Sequence, residues 1–140
     1  MKLAIGCDHG GFDLKEEIVD FLRQAGHEVL DLGCKSHESV DYPHFAELVC
    51  QAVLTRQSEA GILICGTGIG MSMAANRHQG IRAALCHETY TARKSREHND
   101  ANVLCLGARV LGGGVAMEIV KVWVETEFAG GRHLRRIEMF

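Results

Sequence analysis

The segment Cys65-Gly66-Thr67-Gly68-Ile69-Gly70 is the sharpest chemical feature of the sequence. Its three closely spaced glycines leave backbone N–H groups bare, and such groups can converge on an anion. The loop lacks both the Lys-Ser/Thr of a Walker loop and the spacing of a dinucleotide fingerprint. Cys65 precedes the start of a predicted helix, where a thiolate is favoured and can act as base or nucleophile. The plainer interpretation is a tight turn that serves packing alone.

Two other segments carry titratable side chains. Cys7-Asp8-His9-Gly10-Gly11 follows an apolar run, and its carboxylate and imidazole are suited to acid–base chemistry or phosphate binding. Alternatively, Asp8 caps a helix and His9 is a surface residue. His98-Asn99-Asp100 offers a second imidazole, although a turn rich in Asn and Asp is ordinary by itself.

Arginines gather after Gly130-Gly131. Arg132, Arg135 and Arg136 lie there in a polar segment, and Arg109 could join them in a phosphate clamp, since guanidinium groups bind phosphate bidentately. The alternative is a solvated tail. None of the eight histidines shows a recognised ligand spacing, so we expect no metal.

Short apolar runs alternate with segments of helical period. Apolar residues recur at i, i+3, i+4 and i+7 between the runs, which predicts helices at 14–25, 45–53, 70–77, 89–97 and 114–127. The runs themselves predict strands at 3–5, 29–32, 61–64, 81–85 and 103–106. Asp41 is placed to cap the second helix, with Pro43 in its first turn.

Strands that are apolar along their full length imply burial on both faces. Together with helical crossovers, this predicts an α/β fold, a three-layer α/β/α sandwich with a five-stranded parallel sheet. Ligands bind outside the carboxyl ends of such strands. We therefore expect the functional groups at the edge that carries Asp8, Cys65 and Arg109.

The composition fits one packed domain over 1–140. The chain is 46% hydrophobic and 24% charged, with a single proline and no linker-like stretch. Its net charge of −3 argues against a nucleic-acid or membrane-surface binder. The six cysteines form no C-x-x-C pair, and the N-terminus reaches Asp8 after one short apolar run. These features predict a reducing, cytoplasmic location.

The motifs occur together, in order, along nearly the whole chain. They closely resemble the type B ribose-5-phosphate isomerase family, whose relatives act on allose 6-phosphate and galactose 6-phosphate. The motifs are Gly6-Cys7-Asp8-His9-Gly10-Gly11, Asp41-Tyr42-Pro43, Ile64-Cys65-Gly66-Thr67-Gly68-Ile69-Gly70, His98-Asn99-Asp100 and Gly130-Gly131-Arg132-His133. The resemblance implies a Rossmann-like fold, no metal or organic cofactor, and a homodimer or dimer of dimers with active sites between subunits. It places the tail 128–140 against the neighbouring subunit.

The resemblance also implies a role for each motif. Cys65 is the base that removes a proton from the carbon beside the sugar's carbonyl, and Thr67 assists proton movement between the two oxygens. His98, helped by Asp8, opens the furanose ring. The enediolate charge is held by Gly66, Gly68 and Gly70, the sugar hydroxyls by Asn99, and the phosphate by His9, Arg109, Arg132 and Arg136. Arg135 has no assignment.

The expected function is therefore aldose–ketose isomerisation. Moving a carbonyl between adjacent carbons requires one base and an anion hole, and no redox cofactor. The resemblance implies interconversion of ribose 5-phosphate and ribulose 5-phosphate through an enediolate, in the non-oxidative pentose phosphate pathway. The alternatives are an isomerase of allose 6-phosphate or galactose 6-phosphate, and a non-catalytic nucleotide-binding module, which has no need of a thiol and an imidazole in one crevice. A thiol redox protein is disfavoured because C-x-x-C is absent.

Overall fold

A computed structural model describes all 140 residues, and its strands form one parallel sheet. The strand order is β2-β1-β3-β5-β4, and every neighbouring pair is parallel. The strands are β1 (Lys2–Cys7), β2 (Glu28–Asp31), β3 (Ala60–Cys65), β4 (Ala83–Leu85) and β5 (Val103–Gly107). All five predicted strands are confirmed, but β4 begins two residues late, because the Arg82 N–H donates to the Asn102 side chain.

The helices follow the predicted alternation. They are α1 (Phe12–Gln24), α2 (Tyr42–Leu54), α3 (Ile69–Ala75), α4 (Thr89–Glu97), α5 (Gly113–Glu125) and α6 (Arg132–Ile137). The first five match predicted segments to within a few residues. The sequence pattern did not predict α6, because this short, arginine-rich helix buries none of its residues and so shows no apolar face. None of these helices combines the length and the apolar character that a membrane span requires.

The helices cover both faces of the sheet and enclose two cores. In β3, Ile62 and Ile64 point to the core under α1, α4 and α5, while Leu63 and Cys65 point to the core under α2 and α3. Trp123 of α5 is fully buried in the first core. This alternation along β3, every residue of which is buried, confirms the α/β/α sandwich.

The sheet order reverses between β1 and β3. The crossover from β1 leads outward to β2, whereas β3 lies on the other side of β1. The carboxyl ends of β1 and β3 are joined by a hydrogen bond of 3.2 Å from the Asp8 N–H to the Ile64 carbonyl oxygen. Such a reversal opens a crevice at the carboxyl edge, which is where open α/β sheets bind ligands.

The two predicted caps have different outcomes. The Asp8 carboxylate accepts hydrogen bonds from the N–H groups of Gly10 and Gly11, at 2.9 and 3.2 Å, and so caps the 3₁₀ turn before α1. Asp41 precedes α2 in extended conformation, but its side chain accepts no capping hydrogen bond. The predicted side-chain cap at Asp41 is therefore wrong, and Pro43 alone marks the start of α2.

We expect Gly11→Ala to destabilise the fold. A Cβ atom at Gly11 would lie 2.6 Å from the Ile64 carbonyl oxygen, so the turn must move away from β3. Overpacking of this kind costs about 1–3 kcal/mol in the free energy of unfolding, which urea titration measures. Gly114→Ala in α5 is the matched control, since a Cβ there meets no atom within 4 Å. It should be neutral or stabilising, and equal urea midpoints for the two variants would contradict this packing.

Candidate functional site

The predicted site residues that lie at the carboxyl ends of β1, β3 and β5 meet at the crevice between β1 and β3. We call this set the carboxyl-edge cluster. It consists of Asp8, His9, Cys65, the loop 66–70 and Arg109. Asp8 directly follows β1, Cys65 is the last residue of β3, and Arg109 comes shortly after β5. The predicted placement of functional groups at this edge is confirmed for these residues.

The glycine loop turns back onto the Cys65 sulfur. The Gly68 N–H donates to Cys65 Sγ at 3.1 Å, in a buried hydrogen bond. Gly68 has a φ of 76°, and a Cβ atom there would lie 2.9 Å from the Leu106 carbonyl carbon. Only glycine accommodates both this left-handed conformation and this close approach. The thiol of Cys65 is thus held at the N-terminus of α3.

Three N–H groups of the loop remain bare. Those of Gly66, Thr67 and Gly70 donate no hydrogen bond to a protein acceptor, whereas the Ile69 N–H donates to Thr67 Oγ1 at 3.3 Å. Bare amides at a crevice are suited to binding an anion. The plainer interpretation of the loop as a packing turn is also correct in part, because Gly68 serves packing.

Arg109 lies beside Gly66 of the glycine loop and beside Gly10, which follows His9. Its backbone N–H donates to the Gly66 carbonyl oxygen at 2.9 Å. A Cβ atom built on Gly66 or Gly10 would lie 3.3 or 3.5 Å from the Arg109 guanidinium. The missing side chains therefore make room for the guanidinium, which places a positive charge beside the bare amides.

His9 is half-buried and oriented by the backbone. Its Nδ1 atom accepts a hydrogen bond of 3.2 Å from the Val40 N–H, in the segment that precedes α2. In the neutral ring this acceptor role leaves the proton on Nε2, which is then a donor. The alternative view of His9 as a free surface residue does not match this geometry.

Sequence reasoning missed the contact made by Tyr42. The Tyr42 ring fills the space beside Gly70, where a Cβ atom would lie 2.6 Å from the ring. Tyr42 belongs to the Asp41-Tyr42-Pro43 motif, to which no role was given. The occurrence of Tyr42 in this motif is the sequence signal that could have pointed to its contact with Gly70.

The remaining predicted residues lie at the opposite end of the sheet. The helix α4 starts after the carboxyl end of β4 and returns the chain to the amino end of β5, so His98 and Asn99 lie at the amino edge. The His98 ring stacks on His133 of α6, with ring centroids 4.1 Å apart. We call His98, Asn99, Arg132, His133 and Arg136 the amino-edge cluster.

This second cluster is positively charged and borders a cavity. Partial burial and the nearby side chains of His98, Arg132 and Arg136 lower the pKa of His133. Asn99 lines a cavity of about 440 Å³ together with Arg82 and Phe140, and Cys65 does not line it. Within one chain, the structure therefore separates His98, Asn99 and the tail arginines from Cys65. Arg135 is exposed beside this cluster.

The parallel sandwich with reactive groups at its strand reversal defines a Rossmann-like α/β protein with bare backbone N–H groups at its crevice. Residues 3–140 match the family model described as Ribose/Galactose Isomerase. The chain belongs to this family, and it is a sugar-phosphate isomerase. A non-catalytic nucleotide-binding module is therefore excluded as its function.

Individual relatives are similar in sequence to this chain over nearly their whole length. The chain is 53% identical to ribose-5-phosphate isomerase B of Escherichia coli, over 98% of this chain and 92% of the relative. It is 43% identical to D-erythrulose-4-phosphate isomerase of Pectobacterium atrosepticum, over 99% and 91%. A solved structure of Clostridium thermocellum ribose-5-phosphate isomerase B is 55% identical and superposes with a TM-score of 0.98, covering 99% of this chain and 94% of that one.

We expect Asp8→Ala to lower stability and Asp8→Asn to retain most of it. The Asp8 carboxylate satisfies two backbone N–H groups of the 3₁₀ turn, and removing such a cap costs about 0.5–2 kcal/mol. An asparagine keeps one oxygen acceptor in the same place. Thermal unfolding of the three proteins measures the difference. An alanine variant as stable as the parent chain would show that the cap does not support the turn.

Proposed function

We propose that this chain interconverts ribose 5-phosphate and ribulose 5-phosphate through an enediolate, with Cys65 as the base. One observation carries the proposal: the Cys65 sulfur lies against a loop whose Gly66, Thr67 and Gly70 N–H groups are bare. A base beside fixed donors is what proton transfer between adjacent carbons requires. Relatives named ribose-5-phosphate isomerase B, at 53% and 55% identity, support the pentose substrate.

In the proposed mechanism one proton leaves the carbon beside the aldehyde and is returned to the aldehyde carbon. The Cys65 thiolate removes the proton from the carbon beside the aldehyde, and the electron pair moves onto the carbonyl oxygen to form the enediolate. The bare N–H groups of the loop stabilise this charge, and Thr67 moves a proton between the two oxygens. The Cys65 thiol then returns its proton to the neighbouring carbon, which completes the ketose. The steps are redox-neutral and use no cofactor.

Ring opening precedes these steps and uses the other cluster. His98 transfers the proton that opens the furanose, and Asn99 holds the sugar hydroxyls. The Asp8 carboxylate is fixed by its two backbone hydrogen bonds, so it presents a stationary negative charge to the imidazole. His9 and Arg109 from the carboxyl edge, and Arg132 and Arg136 from the amino edge, hold the phosphate. No role is proposed for Arg135.

These assignments require two chains for each site. A six-residue strand such as β3 spans roughly 20 Å, and the two clusters lie beyond its opposite ends, too far apart for one pentose phosphate. We therefore propose a homodimer, alone or paired as a dimer of dimers, in which the tail 128–140 reaches the neighbouring subunit. The exposed arginines of α6, with no residue of that helix buried, support this arrangement.

The family and its relatives favour a second candidate substrate class. The family description covers galactose isomerases, and one relative is named for a four-carbon ketose phosphate. On the family description, a hexose 6-phosphate, such as allose or galactose 6-phosphate, is the main alternative substrate. Comparing kcat/KM on four-, five- and six-carbon sugar phosphates decides between them.

We also propose that the reaction takes place in the cytoplasm, as part of the non-oxidative pentose phosphate pathway. All six cysteines are free thiols, and all six are buried in the interior. Thiols persist in a reducing compartment, which supports this location.

We expect Cys65→Ala to abolish isomerisation while sugar-phosphate binding remains. The substitution removes the base and leaves the amides and arginines, and a positioned base contributes about 100-fold or more to the rate. Ketose formation from ribose 5-phosphate and ligand binding by calorimetry give the two readouts. Cys50→Ala, which removes a buried thiol from α2, should keep its turnover within about twofold of the parent chain. More than a tenth of parental turnover in Cys65→Ala would overturn the assignment of the base.

Mixing two impaired variants tests the shared site. In a heterodimer of one Cys65→Ala chain and one Arg136→Ala chain, one site keeps Cys65 from the second chain and Arg136 from the first. Two equivalent sites in a symmetric dimer predict about half of the parental activity per heterodimer, although both parent homodimers are impaired. The assay uses substrate well below KM, where loss of a phosphate ligand is visible, after native mass spectrometry has confirmed heterodimers. No recovery would mean that Arg136 serves its own chain.

A further inference from the structure

A pair of cysteine sulfur atoms lies beside the crevice and takes no part in the proposed reaction. Cys7 is the last residue of β1, and Cys34 lies three residues after β2, the strand that pairs with β1. Their Sγ atoms are 3.6 Å apart, and the Cys34 N–H donates to the Cys7 carbonyl oxygen at 3.2 Å. No other two cysteines of the chain share a side-chain contact of this kind.

The local packing leaves room for these sulfurs to approach each other. A disulfide bond is about 2.05 Å long, so the two atoms must close roughly 1.5 Å. Gly33 lies next to the pair, and a Cβ atom there would be only 2.9 Å from Cys7 Sγ. The glycine therefore keeps the space around Cys7 Sγ open, and side-chain rotation with a small shift of the segment after β2 covers the distance.

We propose that Cys7 and Cys34 are an oxidation site that closes to an intramolecular disulfide when the protein meets a small hydroperoxide. The Cys34 thiol is oxidised to a sulfenic acid, and the hydroperoxide is reduced, releasing one water or alcohol. The Cys7 sulfur then attacks the Cys34 sulfur, and the hydroxyl leaves as water with the Cys7 proton. Two thiols have lost two electrons and two protons in total.

The two thiols differ in a way that sets this order. Cys34 is 5% exposed and Cys7 is fully buried, so a small oxidant meets Cys34 first. Burial and the adjacent Cys34 sulfur raise the pKa of Cys7 to about 12, which keeps Cys7 in its unreactive thiol form. The buried ammonium of Lys15 acts against this shift but does not reverse it.

The disulfide would fasten the segment 32–41 to β1. This segment carries Val40, whose N–H orients His9, and it leads into Tyr42, which packs on Gly70. In the reduced protein the segment is joined to β1 at its start by backbone hydrogen bonds from Leu32 and Cys34. A covalent link there restricts the unfolded chain and the segment alike, so the oxidised protein should be more stable.

The test treats the full-length protein with hydrogen peroxide, blocks the remaining thiols in denaturant and digests it with trypsin. Cleavage after lysine and arginine places Cys7 in peptide 3–15 and Cys34 in peptide 24–35. We expect these peptides to be joined until a dithiol reductant is added. The melting temperature of the oxidised protein should rise by about 5–10 °C and return on reduction.

Cys34→Ser is the main variant, and its hydroxyl replaces a thiol that contacts the Ser36 carbonyl oxygen at 3.4 Å. Peroxide should neither join the two peptides nor raise the melting temperature in this variant. Cys86→Ser removes a buried thiol elsewhere and should still form the joined peptides. Should a serine variant fail to fold, the peptide map of the parent chain decides alone. Sulfinic or sulfonic acid at Cys34 without joined peptides, or a disulfide that uses other cysteines, would overturn the proposal.

Discussion

The hydrogen bond from the Asp8 N–H to the Ile64 carbonyl oxygen links the two strands between which the sheet order reverses. The 3₁₀ turn that follows Asp8 packs Gly11 onto the same Ile64 carbonyl group, and Cys65 is the next residue along β3. The carboxylate, the thiol and the glycine loop therefore share one rigid backbone junction. A site built on such a junction needs little reorganisation during proton transfer, which is the condition for effective electrostatic stabilisation.

The loop shows that packing and chemistry are not competing explanations for these glycines. Gly68 is required by its left-handed conformation, and Gly70 makes room for the Tyr42 ring. Gly66 makes room for Arg109 and also presents a bare N–H group. Because these glycines have no side chains, neighbouring residues can pack closely on the loop and its amides stay exposed. A substitution at any of these positions would therefore alter the packing and the exposure of the amides together.

Much of the fold follows from sequence periodicity, since buried parallel strands and amphipathic helices leave strong local patterns. The carboxyl-edge cluster was predictable too, because its residues directly follow strands. The start of β4 was not, since it depends on a hydrogen bond with the distant residue Asn102. The helix α6 was not either, because none of its residues is buried and it shows no apolar face. The contact of Cys7 with Cys34 depends on the register of β1 and β2, which no local pattern specifies.

The separation of His98 from Cys65 follows from topology and not from the residues themselves. In a parallel sheet each helix returns the chain to the amino edge, so residues between a helix and the next strand always lie opposite the ligand-binding edge. The role proposed for His98 therefore places it at the crevice of another molecule. In the proposed dimer the substrate phosphate bridges arginines of both subunits, and a ligand that binds only the assembled site stabilises the assembly by mass action. In that proposed dimer, substrate binding and subunit association are one coupled equilibrium. An isolated chain would hold the proposed base, Cys65, and the proposed ring-opening group, His98, at opposite edges of its sheet.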